Sequence, residues 1–226
     1  GGLTGIILGD STLDINVHDT YFVVAHFHLV MGISALYGMF AGIYHWFPKM
    51  FGRMMNKTLG YIHFWATFVG VYCVFFPMHY TGIAGFPRRY YSFTALGNGR
   101  EEAFTDLNMF ISIAAILTFS SQAIFAWNFF YSIFKGKKAT ENPWNSTTLE
   151  WTTPIEPGHG NWPGEIPAVY RWPYDYSKPG AESDFIPQNV PFSATKSSNL
   201  PEEEAEIAKE NEIEGLLGAQ NESYNR

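Results

Sequence analysis

The sequence predicts an all-α integral membrane protein: a helical bundle fragment of three transmembrane helices with an extended, mostly irregular C-terminal tail. Two observations lead there. Three stretches, at about 21–47, 59–83 and 107–134, contain no Asp, Glu, Lys or Arg, and each exceeds the roughly 20 apolar residues that a bilayer-crossing helix needs. Core helices of a soluble domain alternate apolar and charged faces, and no charged face recurs over these lengths. The second observation is an uneven composition. Of 226 residues, 46% are apolar and 18% aromatic. Residues 1–138 carry 9 Lys+Arg against 6 Asp+Glu, whereas residues 139–226 carry 5 against 15 and hold 10 of the 13 prolines. The mean hydropathy of -0.07 therefore averages an oily, aromatic half with a proline-rich, acidic one.

Taken in order, residues 1–19 read as a loop and residues 20–138 hold the three spans. Lys49, Arg53 and Lys57 follow the first span, and Lys135, Lys137 and Lys138 follow the third. The positive-inside rule makes that side cytoplasmic or matrix, so 1–19 and the loop at 84–106 face the opposite, positive side. Residues 139–192 are expected to form a Pro/Trp-rich extended strap, because proline lacks the helical donor and clashes with the preceding turn. The strap is expected to lie across the cytoplasmic face and to meet neighbouring chains through Trp144, Trp151, Trp162 and Trp172. Residues 193–226 turn acidic and read as disordered or short-helical. A net charge of -7 with no basic run argues against nucleic acid. The lone cysteine, Cys73, excludes a disulfide framework within the chain. The chain opens on Gly1 rather than Met and is expected to be a processed product, a fragment or one piece of a larger polypeptide.

The candidate chemistry sits at the start of the first span, in His18-Asp19-Thr20-Tyr21-Phe22-Val23-Val24-Ala25-His26-Phe27-His28. Successive helical residues turn by roughly 100°, so His26 and His28 point about 160° apart. They cannot share one metal, but each can reach a different planar cofactor on its own flank, with Phe27 between them. Neutral imidazole is a common axial ligand of haem iron. Hydrogen bonding to carbonyls of neighbouring helices fits the spacing as well. His18 and Asp19 suit a divalent cation completed by water, and Asp19-Thr20 equally suits a helix cap. Gly85-Phe86-Pro87-Arg88-Arg89-Tyr90 follows the second span. Guanidinium groups form bidentate bonds with carboxylates, and by the topology above Arg88 and Arg89 share a side with His18 and Asp19. They are placed to neutralise the propionates of a haem bound by His26 or His28. His45, His63 and His79 lie near span ends and read as structural or interfacial.

The His18–His28 block closely resembles the tenth transmembrane helix of subunit I in the haem–copper oxygen reductase superfamily, cytochrome c oxidases in particular. The resemblance continues through His45-Trp46-Phe47-Pro48, Phe75-Phe76-Pro77-Met78-His79, Pro87-Arg88-Arg89-Tyr90 and Thr148-Leu149-Glu150-Trp151, over roughly residues 1–155. Leu29 stands where many relatives have Tyr, and Phe86 where many have Met. The resemblance implies the last three spans of a roughly twelve-span catalytic subunit. In it, His26 would be the proximal ligand of the high-spin haem, His28 an axial ligand of the low-spin haem, and Phe27 would lie between the two. Arg88 and Arg89 would bind the haem propionates. His18 and Asp19 would hold magnesium, making 1–19 a loop with a metal and propionate site, and Asp14 would join the proton exit network. The haems would be haem A, with copper ligated by residues outside this chain.

The resemblance also implies a complex: the remainder of the catalytic subunit, subunit II with its electron-entry copper centre, subunit III, cytochrome c, a respiratory supercomplex and the lipid membrane. That membrane would be the bacterial inner membrane, with the tail cytoplasmic, or alternatively the mitochondrial inner membrane. The implied activity is proton-pumping reduction of dioxygen to water, which this chain cannot perform alone. Rivals are a quinol oxidase of the same superfamily, a haem electron-transfer protein without oxygen chemistry, and a non-redox scaffold. Deleting residues 193–226 is expected to leave turnover of the assembled oxidase intact. Turnover lost at full assembly would contradict that reading of the tail.

Overall fold

The computed structural model describes residues 1–92, 101–156, 158–176 and 183–191, with the side chains of 101–103 left aside. The acidic segment 193–226 lies outside the described residues. The chain divides into two compact units, one of Gly1–Phe47 with Arg53–Lys138, the other of Pro48–Gly52 with the tail from Ala139 onward.

The first unit is helical. Two short helices, α1 (Gly2–Gly9) and α2 (Ser11–Val17), precede the first span, where the sequence had suggested a loop. Asp10 joins them: its side chain accepts from the Thr12 amide, 2.9 Å away, and so caps α2. The first span is not one α-helix. It runs as α3 (Tyr21–Phe27), a π-helical turn (His28–Gly32) and α4 (Ile33–Phe51). The Thr20 hydroxyl accepts from the Phe22 amide at 3.2 Å and caps α3. α4 continues three residues past Pro48 and stops where Gly52 takes φ +63°, a left-handed conformation that glycine adopts without a Cβ penalty.

The second span is α5 (Lys57–Ile83), begun by the Asn56 side chain accepting from the Leu59 amide. The third is α6 (Glu101–Lys135). Three helices of the bundle, Tyr21–Phe51, Lys57–Ile83 and Phe104–Lys135, are long and apolar enough to cross a membrane. The 27 residues of α5 extend about 40 Å, beyond the ~30 Å hydrocarbon layer. A two-residue antiparallel pairing of β1 (Arg53–Met54) with β2 (Lys137–Lys138) joins the ends of α4 and α6.

Helices in a bilayer gain little from the hydrophobic effect, so small residues and polar side chains decide their pairing. Both devices are present. Val74, Ile111 and Ala114 form the buried cluster between α5 and α6. His63 Nε2 lies 2.9 Å from Gln122 Oε1, while Gln122 Nε2 donates to Thr67 Oγ1 at 3.0 Å. Asn128, fully buried, accepts from the Asn56 amide and donates to the Asn56 carbonyl, both at 3.0 Å. His63 thus has the structural role expected of it. Against α3, α5 packs closely at Gly82, since a Cβ there would lie 2.7 Å from the Phe22 Cα.

The second unit folds on itself. Leu149–Thr152 forms a 3-10 turn that buries Trp151 to 2% exposure, and the Lys49 ammonium sits 5.5 Å from the Trp151 ring centre while donating to the Thr153 carbonyl. Arg171, also buried, donates to the Val190 and Pro191 carbonyls at 2.7 and 3.1 Å. Gln188 accepts from the Leu149 amide and donates to the Arg171 carbonyl. Of the four tryptophans expected to meet neighbouring chains, not all are left exposed. Trp151 is consumed internally and Trp162 donates to Thr152 Oγ1 at 3.3 Å, leaving Trp172 as the most exposed. Arg171 contributes by supplying several donors from one side chain to the Val190 and Pro191 carbonyls.

Gly82→Ala is expected to destabilise the assembled protein by about 1–3 kcal/mol, the usual cost of forcing volume into a packed contact. A thermal midpoint unchanged from wild type would show that α3 and α5 do not touch there.

Candidate functional site

The end of α5 and the start of α3 are held together by backbone. Tyr21 donates its amide to the Phe86 carbonyl at 3.0 Å, and Arg88 donates to the Asp19 carbonyl at 2.9 Å, on either side of an antiparallel bridge between Thr20 and Pro87. Pro87 has no amide to offer, and this two-bond arrangement asks none of it. Asp19 and Arg89 flank the clasp with φ of +56° and +64°. Left-handed backbone is costly for non-glycine residues and persists where surrounding structure enforces it, commonly at functional sites.

Side chains follow from that clasp. Arg88 donates through Nε to Asp19 Oδ1 at 2.6 Å and through Nη2 to the same oxygen. His18 stands between two carboxylates, with Nδ1 3.4 Å from Asp14 Oδ2 and Nε2 3.6 Å from Asp19 Oδ2. The Arg88 hydrogen bond holds the Asp19 carboxyl below the usual carboxylate range, against the opposing effect of burial. Because its folded value is depressed, the ionic form of the pair is complete above the ordinary Asp range and is lost as pH falls through the lowered value. Arg89 is exposed. The expected capping role falls to Thr20, which leaves the Asp19 carboxylate available for Arg88.

Deeper in the same span, two imidazoles leave the helix toward different neighbours. His26 Nδ1 is 2.9 Å from Thr4 Oγ1 and 3.0 Å from the Gly1 carbonyl. Thr4 donates its own proton to the Gly1 carbonyl at 2.8 Å, so Nδ1 is the donor and the lone pair of neutral His26 is on Nε2. α1 comes close because Gly5 lacks a side chain; a Cβ there would lie 3.1 Å from His26 Cε1. His28 Nδ1 lies 2.8 Å from the Val24 carbonyl, which likewise makes it the donor and leaves Nε2 its lone pair. The His28 ring faces α5, stacked on Phe75, with Phe27 4.4 Å away at 30°. Neither Nε2 has a hydrogen-bond partner among the described residues.

All eight residues singled out in the sequence, Asp14, His18, Asp19, His26, Phe27, His28, Arg88 and Arg89, are thus described. His18 and Asp19 meet Arg88 directly. Asp14 Oδ2 lies 3.4 Å from His18 Nδ1. Sequence reasoning overlooked Thr4, Gly5, Phe75 and the π-turn. The Gly1, Gly5, Gly9 spacing is a small-residue helix-packing signal that pointed to the close approach of α1; nothing in the sequence pointed to the π-turn.

A multi-span membrane bundle with ionisable side chains at membrane depth defines a functional membrane protein rather than a passive anchor, since such residues are costly there. Comparison with known proteins is specific. The family model for cytochrome c and quinol oxidase polypeptide I matches residues 1–117. An alternative cytochrome c oxidase subunit 1 of Bradyrhizobium diazoefficiens is 51% identical over 194 residues, which is 84% of this chain and 32% of that protein. The cytochrome c oxidase subunit 1 of Thermostichus vulcanus is 44% identical over 176 residues, 78% of this chain and 30% of that protein. That of Cereibacter sphaeroides is 44% identical over 160 residues, 70% and 27% respectively. The chain belongs to the cytochrome c and quinol oxidase polypeptide I family. It spans about a third of the length of the curated relatives it matches.

The family implies haem, and the donor set fits. An axial imidazole binds iron through an unprotonated nitrogen while its other N–H is held by protein, and His26 and His28 are both arranged so. Magnesium takes near-octahedral oxygen ligands and keeps several waters. The Asp19 carboxylate is an oxygen donor of that kind and the His18 imidazole a nitrogen donor, and no group of three or more metal-binding side chains forms among the described residues. Arg88→Gln is expected to return the Asp19 carboxyl toward the ordinary range. Infrared titration of that carboxyl would reveal it, and an unmoved titration would show that the ion pair does not form.

Proposed function

We propose that this chain is the C-terminal part of the catalytic subunit of a proton-pumping terminal oxidase. It supplies one axial histidine to each of two haems, His26 to the high-spin haem and His28 to the low-spin haem. When bound, the haems supply electron transfer and, with copper held by residues outside this chain, the reduction of dioxygen to water. This chain's part is to hold and orient. His26 is steadied by Thr4 and the Gly1 carbonyl, His28 by the Val24 carbonyl. Phe27, against the His28 ring at 4.4 Å, would lie between the two haems. The single observation that carries the reading is this pair of Nδ1 commitments two residues apart on one helix, each leaving Nε2 without a hydrogen-bond partner among the described residues.

Arg88 and Arg89 would neutralise haem propionates, and Arg88 would then share its guanidinium between a propionate and Asp19. His18 and Asp19 would hold magnesium, and Asp14, 3.4 Å from His18, would belong to the polar network through which protons leave. Cytochrome c is the proposed electron donor, supported by relatives named cytochrome c oxidase subunit 1; the family description also includes quinol oxidases, the second reading. The working unit is a multi-subunit complex in an inner membrane, bacterial or mitochondrial, with the tail on the cytoplasmic or matrix side.

His26→Ala in the assembled enzyme is expected to abolish the high-spin haem spectrum and oxygen consumption while retaining the low-spin signal. His28→Ala is expected to remove the low-spin signal instead. Normal spectra for both haems in either variant would defeat the assignment.

A further inference from the structure

We infer that Phe75 is a positioning residue whose ring sets the plane of the His28 imidazole, and through it the electronic structure of the low-spin haem. The inference rests on the haem reading above. The two rings lie 4.5 Å apart between centres and only 12° from parallel, within the stacking range that aromatic pairs favour. Phe27 covers His28 at 4.4 Å and 30°, and the Nδ1–H bond to Val24 at 2.8 Å fixes a further direction.

An imidazole bound through Nε2 retains one soft motion, rotation about its metal–nitrogen axis. A hydrogen bond to a single carbonyl tolerates a broad range of such rotation, because acceptance by a carbonyl is only loosely directional. A parallel ring in contact does not tolerate it, since turning the imidazole would drive its edge into the Phe75 face. Phe75 is itself held, packed against the buried cluster of Val74, Ile111 and Ala114 that joins α5 to α6. The plane of a ligand carried by one span is thus referenced to the packing of the other two.

His28 needs such a reference more than His26 does. It is the first residue of the π-turn, where the α-helical ladder is interrupted and local backbone constrains the side chain less. His26 has no ring contact among the described residues and is oriented by Thr4 and the Gly1 carbonyl alone. The relative planes of the two axial imidazoles govern the g values of a low-spin ferric haem, so the stack acts on an observable that general destabilisation leaves alone.

The test compares Phe75→Leu with Phe75→Tyr in the assembled oxidase, read by electron paramagnetic resonance of the oxidised low-spin haem. Phe75→Leu is expected to shift and broaden the low-spin g values while the high-spin haem spectrum stays as in wild type; Phe75→Tyr, which keeps the ring, is expected to overlay wild type. Superimposable Phe75→Leu and wild-type spectra would overturn the inference, as would a Phe75→Tyr shift equal to that of Phe75→Leu. Should Phe75→Leu fail to assemble, pulsed measurements of the imidazole nitrogen couplings in the wild-type enzyme decide: one narrow orientation supports the inference, and a broad spread overturns it. A wild-type enzyme without any low-spin haem signal would overturn the haem reading itself, and this inference with it.

Discussion

A hydrocarbon layer offers no water, so every polar group carried into it must find its partner within protein or cofactor. That constraint organises this chain. Gln122 and His63 satisfy each other between α5 and α6, and Asn128 binds both backbone groups of Asn56. The same rule acts on His26 and His28, but with one atom left over on each. Each imidazole commits its N–H to a protein oxygen, and the remaining lone pair is the feature that a metal-bearing cofactor can use. His63 has its Nε2 occupied by Gln122, whereas His79 repeats the other pattern, with Nδ1 3.1 Å from the Phe76 carbonyl and its buried Nε2 without a hydrogen-bond partner among the described residues.

At the end of the bundle where α3 begins, the organising feature is the backbone clasp of Thr20 with Pro87. It brings Asp19 and Arg88 together at a fixed separation. Two left-handed residues flank it, a local cost sustained by a buried Phe86 and by the Tyr21 and Tyr90 rings around it. Exposed ion pairs are worth little by themselves. Here the backbone has already placed the partners, so pairing requires little further ordering of the side chains. A guanidinium with several donors can serve a carboxylate of its own chain and a second anion at once.

The two candidate ligands are mounted on one rod yet held by different chemistry. His26 is gripped by the Thr4 hydroxyl of α1 and by the Gly1 carbonyl just before it, where α1 approaches across Gly5. His28 is gripped by an aromatic face from α5. The change from α3 to a π-turn occurs at the second of them. Interruptions of this kind are frequent at functional sites because they free side chains from the regular ladder. The second unit follows a different logic, in which Arg171 and Gln188 gather carbonyls and amides that proline-rich backbone leaves without helical partners.

Three spans, their composition and the divergence of His26 from His28 were legible from the residues alone, because hydropathy and helical rotation are local properties. The kinship of Arg88 with Asp19 was legible as a shared side of the membrane, since loop charge and span count suffice for that. The direct bond between them was not, because it depends on a backbone bridge between residues 67 positions apart in the chain, at Thr20 and Pro87. The π-turn, the Phe75 stack, the capture of His26 by Thr4 and the internal folding of the strap around Trp151 were likewise decided only in three dimensions. Each arises where two distant segments compete for the same space or the same hydrogen-bonding group, and no local pattern records the outcome of that competition.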